Sequence, residues 1–475
     1  MESVLKVILS SGVGRAGLAL FALLTGISVY VLVSYPLDYG SRVWYNPAVW
    51  ADNPAVKPPI WAKPGAVPHS VFLQEEPTEV RKASTGERRL YRFEIPHPYE
   101  KPPDSLSLTL TEAVYYSRPP LLTVSLTRPD GRSVRLYRYS PPAPRPGEEA
   151  PYVRHRDSPH RVDLGADPQV RAQVSAFLRD EYGLRLSANE LRGRLMEILF
   201  GEPTSPEERG GPAAFRPLPG TYALEVEVTV FDRRDRIGAL QAVRGGETFG
   251  WMGTDSLGRD LAQGLLFGFP VSLIIGILTS VLATLLGASL GIMSGYLGGR
   301  VDLLIQRSAD VINNIPGLPL LIFLVFIFGS NLFLVIIPVI VFFSWPGLAI
   351  IVRSMVLQLR EGQLVEAERS LGATRWRIMF RHILPQVGPY LLAQLIFFAP
   401  SAILSEATLS FLGLGDTSLP TWGQILEGAF RTGAVYRGYW WWVVPPGLLI
   451  VITAVAFMLI ALSLEPIANP RLRRS

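Results

Sequence analysis

Long stretches without a charged residue alternate with one polar, proline-rich and arginine-rich segment, and this division restricts the fold more than any other feature. Residues 270–299 and 315–352 carry no charge, whereas residues 36–249 are polar. A membrane-spanning helix needs about 20 mostly apolar residues because the hydrocarbon layer is about 30 Å thick. The pattern therefore predicts a membrane protein that carries one large water-soluble insertion.

Six membrane spans are predicted from the apolar runs. We interpret the first run, residues 17–34, as a retained anchor, since it is longer than the apolar core of ~7–15 residues in a cleaved signal peptide. The run 315–352 is too long for one helix and is interrupted at Gly329, so it predicts two spans. The remaining spans are predicted at residues 270–299, 389–412 and 442–464.

The distribution of Lys and Arg predicts the orientation of these spans. Positive residues in short loops favour the cytoplasmic side. One set of flanks carries thirteen of them, from Lys6 to Arg474, and the opposite short loops carry only Arg431 and Arg437. Both termini are therefore expected in the cytoplasm, and the insertion is expected outside the cell membrane.

The insertion is predicted to be β-rich with a pair of helices. A proline-rich linker, residues 36–68, precedes alternating runs at 88–95, 105–111, 121–127, 133–139 and 221–232 that are typical of half-buried strands. Residues 141–168 are interpreted as a loop, and helices are expected at 168–182 and 188–200. The second helix begins with Ser187 and Glu190 at the spacing of a capping box. His155 and His160 lack a cysteine or an ordered acidic partner, so no metal site is predicted.

Several chemistries are absent from the sequence. None of the five lysines follows a glycine, which excludes a phosphate loop of the Walker type. There is no cysteine, and the insertion has no G-x-S-x-G or H-E-x-x-H pattern of a hydrolase. No cofactor and no catalytic residue are predicted. If the protein depends on ATP, another chain must hydrolyse it.

The loop between the fourth and fifth predicted spans, residues 353–386, has the most informative spacing. Gly372 permits a sharp turn, residues 373–381 are expected to form a short helix, and Pro385 is expected to end it. Apolar positions of that helix are Trp376, Ile378, Met379 and Phe380. We interpret this projecting helix as a segment that docks into a groove on a partner protein. The alternative is an amphipathic helix on the bilayer, since Arg375, Arg377 and Arg381 favour anionic lipid.

Two acidic residues are candidates for the pathway or for structural roles. Glu406 lies well inside a predicted span, where an ionisable side chain is costly and usually faces a cavity or the bundle interior. It is interpreted equally as a pathway residue or as a fixed hydrogen-bonding group. Asp310, before the third span, is the second candidate. At 253–260, Asp255 is expected to cap a short helix.

These segments together resemble the permease subunits of ATP-binding-cassette importers, specifically the second membrane subunit of the dipeptide/oligopeptide/nickel class. The resemblance covers about residues 250–470 and the first span. It is carried by the stretch 295–316, which includes Asp310 and Pro316, and by the stretch 405–423. It is also carried by an outer-surface motif at Gly253, Thr254, Asp255, Gly258, Arg259 and Asp260, and by the E-A-A-type loop. The sequence departs from the pattern at Ile315, Glu368 and His382.

The resemblance implies a type I importer fold, that is, an all-α polytopic protein of six transmembrane helices with an inserted β-rich (α+β) extracytoplasmic domain. The expected organisation is residues 1–35 for the N-terminus and first span, 36–249 for the insertion and 250–475 for the permease core. The implied ATPase-coupling residues are Glu366, Ala367, Gly372, Ala373, Trp376, Ile378, Phe380, Leu384 and Pro385. Implied partners are a homologous permease, two ATPase subunits that bind ATP and Mg, an extracytoplasmic binding protein and the lipid bilayer, without nucleic acid.

The resulting prediction is a non-enzymatic inner-membrane permease for di- or oligopeptides. Nickel chelates or oligosaccharides are alternative substrates, because permeases of the resembled class serve each of them. An ion-coupled secondary transporter is disfavoured, since four of the six predicted spans lack an acid or histidine to carry the ion. A membrane-anchored enzyme is disfavoured by the missing catalytic motifs.

Overall fold

The computed structural model describes residues 2–36, 38–83, 86–204, 214–416 and 418–464. Contacts between Cα atoms divide the chain into two compact units. The membrane unit comprises Met1–Trp50 and Arg259–Ser475, and the inserted unit comprises Ala51–Gly258. The boundaries thus differ from the predicted ones at 36 and 249.

Helices dominate the membrane unit and are few in the inserted unit. The α-helices are α1 (Glu2–Ser10), α2 (Gly12–Ser34), α3 (Pro47–Trp50), α4 (Pro168–Tyr182), α5 (Ala188–Leu191), α6 (Leu195–Leu199), α7 (Leu261–Leu297), α8 (Gly299–Asn314), α9 (Gly317–Phe328), α10 (Ile337–Arg360), α11 (Gln363–Ser370), α12 (Arg375–Ile378), α13 (Leu384–Phe411), α14 (Trp422–Arg431) and α15 (Trp440–Ser463). Single π-helical turns at Gly40–Trp44, Leu332–Ile336 and Met379–Ile383 adjoin some of them.

Five helical segments among the described residues are long and apolar enough to cross a membrane, or six if a bent pair is counted as one span. They are Gly12–Ser34, Leu261–Leu297, Leu332–Arg360, Arg375–Phe411 and Trp440–Ser463. The bent pair is α8 and α9, whose axes meet at 87°.

The predicted third span differs from the structure in its length. The chain breaks at Gly329, as predicted, but α9 has only 12 residues, or about 18 Å of helix. Ile315 precedes a proline and is extended, with φ −77° and ψ 127°. Because the residue before proline avoids the helical region, α8 ends there and the chain changes direction.

The first residues after α2 do not form part of the predicted proline-rich linker. Trp44 and Trp50 are buried, and the Tyr39 hydroxyl donates a hydrogen bond of 2.9 Å to Gln263 of α7. A Cβ at Gly264 would lie within 2.3 Å of the Trp44 ring, so this glycine admits the indole. Burial of these large rings outweighs the extended preference of the prolines, and residues 36–50 fold with the membrane unit.

The strands of the inserted unit are antiparallel. They are β1 (Ser70–Gln74), β2 (Glu79–Ala83), β3 (Gly86–His97), β4 (Ser105–Leu110), β5 (Ala113–Tyr115), β6 (Leu121–Thr127), β7 (Ser133–Tyr139), β8 (Tyr152–Arg154), β9 (His160–Asp163), β10 (Gly201–Pro203), β11 (Phe215–Pro217), β12 (Gly220–Val230), β13 (Arg236–Ile237) and β14 (Leu240–Gly245). Sheets of five, four, three and two strands have the orders β2-β3-β12-β6-β7, β1-β14-β4-β9, β13-β5-β8 and β10-β11.

The two larger sheets and α4 share one apolar core. In the central strand β12, Leu224 pairs with Phe93 on one side and with Leu126 on the other, and all three are buried. Alternate residues of β12 point inward, as a half-buried strand requires. Val170 and Val174 of α4 complete this core.

Two predictions for the inserted unit were wrong in detail. The predicted helix 188–200 is divided into α5 and α6, although the capping box of Ser187 and Glu190 is confirmed. Gly193, with φ +79°, lies at the break. The predicted loop 141–168 contains β8 and β9, which pair with β5 and β4. Their partners are distant in sequence, so local turn residues did not reveal them.

Candidate functional site: the loop from α11 to α13

The predicted coupling loop is a helical turn built around Gly372. Helix α11 ends at Ser370 and is capped by Leu371, and Gly372 follows with φ +79°, a conformation that glycine adopts without strain. Thr374 then caps α12, because its hydroxyl accepts a hydrogen bond of 3.3 Å from the Arg377 amide. The chain therefore reverses between two short helices through one glycine.

Pro385 does not end the second helix, contrary to the prediction. A π-helical turn, Met379–Ile383, connects α12 directly to α13, and Pro385 lies in the first turn of α13. The proline is tolerated because the hydrogen-bond pattern changes at this junction: the Leu384 amide donates to the Met379 carbonyl, five residues back, and the next residue, Pro385, has no amide hydrogen to place. The segment Arg375–Phe411 is consequently a single long candidate span.

The base of the loop is held by a buried apolar cluster. Val365, Ile378 and Ile383 are at most 1% exposed, and they pack in one cluster with Tyr296 and Val356. The Arg369 guanidinium lies 5.5 Å from the centre of the Tyr296 ring. The base of the loop therefore packs directly against α7, α10 and α13.

The exposed surface of the loop is only partly what the sequence predicted. Of the predicted apolar positions, Ile378 and Met379 are buried, whereas Trp376 and Phe380 are 58% and 60% exposed. The two exposed rings stack, with centroids 5.8 Å apart and planes at 15°. Leu371, at the tip, is 82% exposed and was missed. An apolar residue directly before a turn glycine was the available signal.

The other predicted residues of the loop differ in burial. Glu366 and Ala367 lie on the exposed face of α11, and Ala373 is half-buried. Leu384 is half-buried at the start of α13. Glu368 lies 3.2 Å from Nε2 of His382, so two of the three residues that depart from the family pattern face each other.

Close helix contacts support the loop from the membrane side. A Cβ on Gly291 would lie 2.7 Å from the Ala349 carbonyl oxygen, and one on Gly295 would lie 2.8 Å from the Arg353 carbonyl oxygen. Gly287 makes a similar approach to Leu348. This glycine spacing of four lets two helix backbones meet, and its periodicity in α7 was a signal that the sequence reasoning did not use.

A charged pair joins α8 to α10 near these glycines. Nε and Nη2 of Arg353 donate hydrogen bonds of 2.5 and 2.6 Å to the two carboxylate oxygens of Asp302. The Ser294 hydroxyl donates another of 2.5 Å to Asp302. Such bidentate pairs are stronger and more directional than single hydrogen bonds, and this one fixes α8 against α10.

In the predicted outer-surface motif, the helix cap is Asp260 instead of Asp255. The Asp260 carboxylate accepts a hydrogen bond of 2.9 Å from the Ala262 amide at the start of α7. The buried Asp255 accepts 2.9 Å from the Leu257 amide in a turn, and the buried Thr254 hydroxyl donates 2.7 Å to the Pro54 carbonyl. Gly253 and Gly258 have positive φ. Arg259 lies 4.4 Å from the centre of the Trp44 ring.

The two acidic candidates have opposite surroundings. Glu406 is 3% exposed and accepts a hydrogen bond of 2.6 Å from Ser410, one turn further along α13. Asp310 is exposed and lies 3.7 Å from Arg307 on α8. The geometry brings neither of them to the loop.

The histidines of the inserted unit interact with tyrosine. The Tyr139 hydroxyl and Nε2 of His155 are 2.8 Å apart, and the ring of His160 stacks on Tyr139 at 3.7 Å. Within the described ranges, no three side chains of His, Cys, Asp or Glu group as a metal site requires.

The apolar helices, the glycine contacts between them and the buried base of an exposed loop define a polytopic membrane protein. Residues 287–474 match the family model described as binding-protein-dependent transport system inner membrane component. The chain belongs to this family, because it covers more than two thirds of the length of three permease relatives that are at least 34% identical to it.

Three relatives illustrate the match. The dipeptide transport system permease protein DppC of Bacillus subtilis is 34% identical over 47% of this chain and 69% of its own. The glutathione transport system permease protein GsiD of Pectobacterium atrosepticum is 36% identical over 47% of this chain and 73% of its own. The oligopeptide transport system permease protein OppC of Bacillus subtilis is 35% identical, over 47% and 72%.

Among solved structures, the inward-facing MetNI methionine ABC transporter matches 44% of this chain and 95% of the compared chain. Its sequence identity is 18% and its TM-score is 0.35.

Proposed function

We propose that this chain forms half of the translocation pathway of an ATP-driven, binding-protein-dependent importer, and that its substrates are di- and oligopeptides. The observation that carries the proposal is the loop with a buried base and an exposed apolar tip at Leu371. The names of the relatives support the substrate class, since dipeptides, oligopeptides and glutathione are all peptides.

In the proposed mechanism, an ATPase subunit holds α11 and the tip of the loop. Leu371 enters an apolar groove of that subunit, and Glu366 and Ala367 contact its rim. The buried cluster of Val365, Ile378 and Ile383 transmits each movement of the ATPase pair to α7, α10 and α13. ATP can shift the equilibrium between the inward-facing and outward-facing states only to the extent that it binds one state more tightly than the other. The ATPases, not this chain, hydrolyse ATP.

The assembly that follows is a heterodimer of two permeases with two ATPases and an extracytoplasmic binding protein. Both termini and the loop lie in the cytoplasm, and the inserted unit lies outside, as the distribution of positive charge favours. Six spans result if α8 and α9 together cross the membrane. The inserted unit is an addition of this chain to the permease core.

The coupling role is tested by charge reversal within one loop. Glu366→Lys places a cation at the proposed contact, and we expect at least a tenfold loss of transport and of substrate-stimulated ATPase activity, about 1.4 kcal/mol of coupling. Glu361→Lys is the matched control, because Glu361 is also exposed and precedes α11. Leu371→Ser should reproduce the loss without a change of charge.

Membrane insertion and the amount of folded protein should stay unchanged in all three variants. Equal activity of the Glu366→Lys and Glu361→Lys proteins would contradict the proposed docking surface.

The proposed orientation is tested by protease accessibility. Protease added to intact spheroplasts should cut at residues 141–150, and cleavage only in inverted vesicles would reverse the proposed orientation.

A further inference from the structure

An apolar groove of about 510 Å³ lies in the membrane unit between α7 and α13. Its volume falls within the range of roughly 300–1,000 Å³ that is usual for small-molecule sites. The walls include Leu285 and Ile292 of α7 and Leu392 of α13. One end is formed by the exposed rings of Trp376 and Phe380. These rings therefore border a membrane groove and are separate from the tip at Leu371.

Two arginines adjoin these rings in the sequence. Arg377 follows Trp376 and Arg381 follows Phe380, so an exposed basic row runs beside the aromatic row along the same helical segment. Among the residues that the structure describes, no carboxylate lies within ion-pair distance of either arginine. The groove thus combines a long apolar trough with uncompensated positive charge at its aromatic end.

We propose that this groove binds an anionic phospholipid, with an acyl chain along the trough and the phosphate beside Arg377 and Arg381. The charge of the two arginines selects an anionic headgroup over a zwitterionic one. A tryptophan at the end of the trough suits the boundary between headgroup and hydrocarbon, and arginine side chains reach such phosphates while their stems stay on apolar surface. The lipid would brace the hinge between the docking loop and α13.

Gly388 offers a direct way to close the groove. It lines the trough on α13, and a Cβ there would meet no atom within 4 Å. Gly388→Leu should therefore fill the trough without disturbing the helix. Gly347→Leu is the matched control, because Gly347 is likewise inside a membrane helix, α10, with no atom within 4 Å of a Cβ.

The test measures quenching of tryptophan fluorescence by brominated lipid. The complex that co-purifies with the full chain is reconstituted in vesicles that contain equal mole fractions of phosphatidylglycerol and phosphatidylcholine, with bromine on one or the other. The contribution of Trp376 is the difference between the natural protein and Trp376→Phe. We expect on the order of tenfold stronger association with brominated phosphatidylglycerol, since each juxtamembrane arginine contributes to the attraction of anionic lipid.

The variants separate the proposal from simpler explanations. Gly388→Leu should abolish the quenching of Trp376 by both lipids, whereas Gly347→Leu should leave it unchanged. Arg377→Gln with Arg381→Gln should remove the preference for phosphatidylglycerol. Equal quenching by both lipids in the natural protein would overturn the proposal in favour of general bilayer contact. No quenching by either lipid would overturn it in favour of a protein subunit that covers the groove.

Discussion

The membrane unit exposes large apolar side chains on its surface, whereas the inserted unit buries them in its interior. In the membrane unit, Phe326 and Leu334 are 89% and 78% exposed, and glycines occupy the closest helix contacts. In the inserted unit, Phe93 and Leu224 are fully buried between sheets. Lipid does not drive apolar residues inward, so backbone fit holds helices together there, whereas water drives burial in the inserted unit.

An arginine joins distant segments in each unit, and two such arginines, Arg128 and Arg353, differ in burial. Arg128 is fully buried and donates 2.8 Å to the Gly201 carbonyl, so it ties the β6–β7 turn to β10. Arg353 keeps 30% of its side chain exposed in its pair with Asp302. A buried charge is costly once its partner is lost, so the inserted unit should be the more sensitive to a single charge deletion.

The largest expected effect is that of Arg128→Ala. Its loss leaves the buried Gly201 carbonyl without this donor and opens a cavity, while the Asp130 carboxylate keeps its contacts with Arg132 and Tyr182. The free energy of unfolding of the inserted unit should fall by about 3–5 kcal/mol. Hydrogen exchange of α4 in the full chain measures this loss. Arg132→Ala is the control, because Arg132 contacts the same Asp130 but is 36% exposed, and should cost less than about 1 kcal/mol.

The next largest effect is expected from overpacking a helix contact in the membrane unit, which should leave the inserted unit unchanged. In Gly291→Leu, the added Cβ alone would lie 2.7 Å from Cβ of Val352. Helices α7 and α10 must therefore separate, at a cost of about 1–3 kcal/mol. The melting temperature of the purified protein and its transport activity should both fall. Exchange in α4 should stay unchanged, and Gly347→Leu should be tolerated. Loss of α4 protection in the Gly291→Leu protein would show that the units do not respond independently.

The smallest expected effect is a pH dependence confined to the inserted unit. His97 is 1% exposed, and burial lowers its pKa to about 4, whereas a histidine in an unfolded chain has a pKa of about 6.5. The unfolded state therefore binds more protons between these values, and stability falls as the pH drops below about 6.5. At pH 5 the loss should be about 1–2 kcal/mol.

Thermal unfolding of the full chain at pH 7 and pH 5 tests this dependence. His97→Phe should reduce the difference, because the ring packs against Phe200 at 5.0 Å between centroids and a phenyl ring can replace it without titrating. His69, whose pKa burial also lowers to about 4, should account for the remaining part together with His155 and His160, whose pKa values burial also lowers. An unchanged pH dependence in the His97→Phe protein would contradict the assignment.

Elements with local signals were predictable, and elements that depend on distant partners were not. The bounds of β6, β7 and α4 match the predicted runs 121–127, 133–139 and 168–182. Their turn residues and caps act within a few positions of the chain. In contrast, β8 pairs with β5, some 40 residues earlier in the sequence, and the residues next to β8 carry no signal that predicts this pairing.

The same distinction applies to the loop from α11 to α13. The turn at Gly372 followed from the sequence, because a positive φ depends on one residue. The division of the apolar helix into buried Ile378 and exposed Trp376 depended on where α7 and α10 lie. Pro385 ended the helix in the prediction, yet the π-helical turn before it let the chain continue.

The sequence by itself determined the apolar spans, the polar insertion and the motifs of a permease, since composition, charge and turn chemistry act over short distances. Only the tertiary structure decided that Trp44 packs against Gly264, that Arg353 holds Asp302, and that the loop presents Leu371 at its tip. Each of these outcomes depends on which backbone approaches which, and that approach is set by packing between segments far apart in the chain.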